Sequence, residues 1–121
     1  MSGNDLIAMS PIDMIKYLTT TFDLTTPSSI ETIEDMEEAA ALLSRFTADY
    51  TYLTQLTLLA NIKKQEARRS GVTARELDDA FMREQILDKF ADLAKTAYQT
   101  TSRLLTIKQQ INLELRLTDG A

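Results

Sequence analysis

Residues 28–70 and residues 72–119 contain neither glycine nor proline, and Gly71 alone separates the two runs. Strands rarely exceed about ten residues, so uninterrupted runs of this length are helices. The chain holds three Gly and two Pro in 121 residues, which leaves room for few turns and therefore for few, long elements. A chain of this size fits one domain, residues 1–121, and its 44% hydrophobic content is enough to fill a core.

The helix starts are written locally. Ser10-Pro11-Ile12-Asp13 predicts a short helix over about 11–23: Ser10 caps, Pro11 suits the first turn, and Asp13 favours the positive end of the dipole. Pro27 closes that segment, because the residue before proline avoids helical angles. Ser28 and Glu31 have capping-box spacing, so a long helix is expected over about 29–69. Met36, Ala39, Leu43, Phe46, Tyr50, Leu53, Leu56 and Ala60 recur along it at intervals of three and four. Ser70-Gly71 stops it. Thr73 and Glu76 form a second capping box, flanked by Val72 and Leu77 as a hydrophobic staple, and start a helix over about 74–117. That helix carries two adjacent stripes. One includes Ile86, Phe90, Leu93, Ala97, Leu104, Ile107 and Ile111. The other includes Leu87, Ala91, Ala94, Tyr98 and Leu105.

A stop, a short turn and a start within Arg69–Glu76 predict that the two long helices fold back as an antiparallel hairpin. The expected fold class is all-α: a long antiparallel helical hairpin with a short N-terminal helix, assembling into a multi-helix bundle with coiled-coil packing. The hairpin also accounts for the charge distribution. Net charge is −5 overall, but −7 over residues 1–61 and +2 over residues 62–121. Folding back would set Glu31, Glu34, Asp35, Glu37 and Glu38 beside Arg103, Lys108 and Arg116. It would set Lys63, Lys64, Arg68 and Arg69 beside Glu76, Asp78, Asp79 and Glu84.

Between these charged ends lies an uncharged waist. Residues 46–61 contain one charge, Asp49, and residues 93–107 contain two, Lys95 and Arg103. A solvent-facing helix surface should carry more. Here it carries Thr, Tyr, Leu and Gln, with Thr47, Thr51 and Thr54 in a stripe. A short helix of about twelve residues covers about 18 Å of a 60 Å hairpin, so further cover is expected from another chain. The interface residues expected on this basis are Phe46, Tyr50, Thr51, Thr54, Leu58, Tyr98, Thr101 and Leu105. The expected partner is the chain itself, as a homo-oligomer, or a larger protein complex.

Catalytic signatures are not found. The chain has no Cys and no His, which excludes disulfides, thiol chemistry, Cys/His zinc sites and imidazole acid–base work. Glu34, Glu37 and Glu38 share a helix face, but acids at a helix N-terminus are ordinary. No P-loop or Gly-rich phosphate turn is present. We therefore expect a non-enzymatic structural, assembly or adaptor protein, with no catalytic residues, no metal site and no cofactor.

An alternative is a nucleic-acid-binding accessory protein that uses Lys63, Lys64, Arg68 and Arg69 for phosphate contact. An acidic chain repels polyanions, however, and no aromatic residue lies within 63–72 for base stacking. The N-terminus lacks a basic region before its apolar residues, and no apolar run approaches the roughly 20 residues of a membrane span. The expected location is the cytoplasm.

Overall fold

A computed structural model describes residues 2–119, with the side chains of residues 2–117. Four helices make up the fold: α1 (Gly3–Ile7), α2 (Pro11–Thr21), α3 (Ile33–Ser70) and α4 (Ala74–Asp119). The long helices α3 and α4 pack against each other along their length as an antiparallel hairpin, and no strand is present among the described residues. Its tip is the turn at Gly71; its base is where α3 starts and α4 ends.

The turn works as its residues require. Gly71 adopts φ 69° and ψ 35°, a left-handed conformation in which a side chain is strained even though nothing crowds the position. Thr73 Oγ1 then accepts from the Glu76 backbone N–H at 3.2 Å and opens α4. Two contacts set the register of the hairpin. Asn61 Nδ2 donates to Glu84 Oε1 at 3.0 Å near the tip, and Asn112 Nδ2 lies 3.7 Å from Met36 Sδ near the base.

Helix α2 starts as expected, with Ser10 Oγ accepting from the Asp13 backbone N–H. It packs on α4, and α1 packs on α3. The guanidinium of Arg83 ties this layer down by donating from Nε to the Met9 carbonyl at 2.6 Å. The core therefore sits at the tip side of the waist. Leu6, Ile7, Met14 and Leu18 pack there against Leu53, Leu56 and Ala60 of α3 and Leu87, Ala91 and Ala94 of α4.

One expectation is corrected, and one helix is new. Helix α3 does not begin at the Ser28–Glu31 box. Its cap is Thr32, whose Oγ1 accepts from the Asp35 N–H at 3.0 Å, while Asp35 Oδ2 accepts from the N–H groups of Glu31 and Thr32. Asp35 serves two orphan backbone donors at once, so this box is worth more than one built on Ser28. The segment before it instead lays Ile30 into a buried position. Helix α1 was also unforeseen; Ser2 and Asp5 form its capping box.

Candidate protein-interaction surface

Helices α1 and α2 cover one face of the hairpin. On the other face, Thr47, Tyr50, Thr54 and Leu58 of α3 stand beside Asp88, Asp92, Lys95, Tyr98 and Gln99 of α4. Two open grooves run along it. One, of about 390 Å³, is lined by Phe46, Thr47, Tyr50, Lys95, Tyr98 and Gln99. The other, of about 300 Å³, includes Tyr50, Thr54, Thr57, Leu58, Asp88 and Asp92. Tyr50 lines both, so they form one continuous strip.

The threonines on this strip are less polar than their formula suggests. Thr47 Oγ1 donates to the Leu43 carbonyl and Thr57 Oγ1 to the Leu53 carbonyl, both at 2.8 Å. With the hydroxyl turned onto its own helix, each leaves a methyl group to the surroundings. Leu58 is 63% exposed, a large apolar side chain with nothing of this chain upon it. Tyr50 and Tyr98 are each about two-fifths exposed, at 38% and 39%.

The expected interface residues divide into three groups. Tyr50, Thr51, Thr54, Leu58 and Tyr98 are exposed at the waist. Phe46 and Thr101 are at 0% exposure. They are buried within the single chain, and Phe46 also lines the first of the two open grooves. Leu105 is half-buried and lines a third groove, of about 620 Å³, at the base with Ile33, Met36, Ala40 and Leu115. Sequence reasoning missed that base groove. Its signal was the apolar series Ile107, Ile111, Leu113, Leu115 and Leu117, which continues beyond any position α2 can reach.

Asp49 does not lie on the open strip. It is half-buried on the covered side, where burial pushes its carboxyl up and the Arg45 charge offsets this only in part. Arg45 donates to the Asp23 carbonyl and lies over the Phe46 ring.

The tip gathers Lys64 and Arg68 over the Phe81 ring, at 4.7 and 4.9 Å from its centroid. Lys64 also pairs with Glu84 at 2.5 Å. Burial pushes the Glu84 carboxyl up, but hydrogen bonds from Lys64 and Asn61 and the charges of Lys64 and Arg68 outweigh it, leaving the group below its ordinary range. Lys63 pairs within its own helix to Glu66 at 3.5 Å. Of the opposite-charge neighbours expected at the tip, Glu84 alone is engaged; Glu76, Asp78 and Asp79 form no ion pair among the described residues. At the base, none joins Glu31, Glu34, Asp35, Glu37 or Glu38 to Arg103, Lys108 or Arg116 among the described residues; Lys108 only helps to hold the Asp35 carboxyl down. Apart from Lys64 with Glu84, the opposite charges expected to face each other across the two helices form no close pair among the described residues, and at longer range they are worth little at an exposed surface.

Among the described residues, no group of three or more acidic side chains could hold a metal ion, and no helix is long and apolar enough to cross a membrane. Comparison of the chain with protein families, curated proteins and solved structures finds no match.

Proposed function

We propose that this chain is a non-enzymatic assembly protein of the cytoplasm that works by packing the open face of its hairpin onto another protein chain. The observation that carries the reading is the continuous strip from Thr47 to Leu58, methyl- and ring-rich, on the face that α1 and α2 leave open. A lone hairpin would be better served by charged residues there. The reading assigns the protein no catalytic residue, metal or cofactor.

Phosphate binding at the tip has less support. Lys63 and Lys64 are paired with glutamates, and the Phe81 face that a base would stack on is occupied by Lys64 and Arg68.

The experiment compares the intact protein with Thr54→Glu and Leu58→Glu. Both positions are exposed, so the variants should fold. We expect each charge to lower the mass measured in solution or to remove proteins that co-purify from the native host. If neither quantity changes, the reading is wrong.

A further inference from the structure

The open face is self-complementary. Leu43, Thr47, Tyr50, Thr51, Thr54 and Leu58 are spaced by four, three, one, three and four residues. This series reads the same in both directions about the point between Tyr50 and Thr51. An α3 helix laid antiparallel on a second α3 with its two-fold axis at that point sets Leu43 against the partner's Leu58 and Thr47 against the partner's Thr54. An isologous two-fold contact needs this matching of a surface with its own inverse.

The second helix agrees with the same axis. Met36 lies against Asn112, and Lys64 lies against Glu84. Tyr50, midway between Met36 and Lys64, is therefore level with Tyr98, midway between Asn112 and Glu84. The axis then brings Asp92 opposite the partner's Arg103, and Arg103 opposite the partner's Asp92. Both residues are exposed in the single chain, and among the described residues neither forms an ion pair there.

We propose that the chain forms a two-fold dimer through this face, α3 on α3 and α4 on α4, with the two hairpin tips pointing in opposite directions. The proposal rests on the assembly reading and goes beyond it by naming a second copy as the partner and fixing its orientation. The other two-fold arrangement, with the tips together, lays α3 on the partner's α4. It would set Leu58, the most exposed apolar residue of the strip, between the partner's Asp88 and Asp92. The tips-opposed arrangement gives Leu58 an apolar neighbour instead.

From Leu43 to Leu58 the strip is about 22 Å long. Two helices some 20 Å wide together give a footprint of roughly 450 Å² per partner, small for a specific interface. The dimer should therefore dissociate on dilution.

Because the chain contains no cysteine, disulfide trapping reads the geometry directly. Single variants are mixed in pairs, so that a crosslink within one chain cannot form, and oxidised mildly. A mixture of Thr47→Cys and Thr54→Cys should give covalent dimers. Neither variant alone should, because like positions lie about 10 Å apart along the axis, beyond disulfide reach. Light scattering at rising concentration should approach twice the chain mass of 13.6 kDa.

A monomer at every concentration overturns the proposal. Covalent dimers from a mixture of Thr54→Cys and Lys95→Cys, with none from Thr47→Cys and Thr54→Cys, overturn the orientation. A dimer that neither mixture traps overturns the face. The assembly reading falls separately: it fails if the intact chain and Leu58→Glu also recover the same proteins from the native host.

Discussion

Thr101 is the residue at which the hairpin departs from an apolar seam. Its side chain is fully buried between α3 and α4, and its hydroxyl has no hydrogen-bond partner. An unpaired buried hydroxyl carries a desolvation cost of about 1–3 kcal/mol. Valine has nearly the same shape and no such group. Thr101→Val should therefore raise the urea midpoint, by about 1 kcal/mol of stability. A loss of stability would mean that the hydroxyl is satisfied in solution by something the fold provides. Thr101 also marks a limit of sequence reading. A threonine on an uncharged stretch looks like part of an outward stripe, as Thr47 and Thr54 are. Only the register between two helices decides which threonines turn inward, and that register depends on contacts such as Asn61 with Glu84, far apart along the chain.

At the scale of the element, turns and caps were legible because they are local. Ser10-Pro11, Ser70-Gly71 and Thr73–Glu76 each act in the structure where their chemistry predicts. The start of α3 was harder, because two box-like spacings follow one another, Ser28–Glu31 and Thr32–Asp35, and spacing alone does not rank them. Thr32 prevails because Asp35 accepts from both Glu31 and Thr32 backbone donors. Thr32→Ala should cost about 1 kcal/mol and Ser28→Ala close to nothing, read from denaturant midpoints.

The same cap predicts an acid-side dependence. Hydrogen bonds from the Glu31 and Thr32 backbones hold the Asp35 carboxyl below its ordinary value of 3.8. Its contribution is therefore complete above that value and is lost as pH falls through the lower folded-state value. Across that acid window the stability gap between the intact protein and Asp35→Asn should narrow. A gap independent of pH would assign the cap's effect to Thr32 alone.

At the scale of the whole molecule, cover is uneven along the hairpin. Around Leu53–Ala60 and Leu87–Ala94, the long helices are packed beneath α1 and α2. Toward the base the cover thins to the segment that meets Arg45 through Asp23 and buries Ile30. Ile33 there is 74% exposed and Leu117 68% exposed, and the base groove lies open. Local opening is easiest where few apolar contacts must be broken. Backbone hydrogen exchange should therefore be slowest over residues 53–60 and 87–97, and should rise steadily toward residues 33–40 and 108–117.

The two-fold contact would extend protection only across the strip from Leu43 to Leu58, centred on Tyr50 and Thr51. Raising protein concentration should thus slow exchange around residues 47–54 while leaving the base fast. Uniform protection along both helices would contradict the gradient. Slow exchange at the base at high concentration would move the contact from the waist to the groove formed by Ile33, Met36 and Leu115.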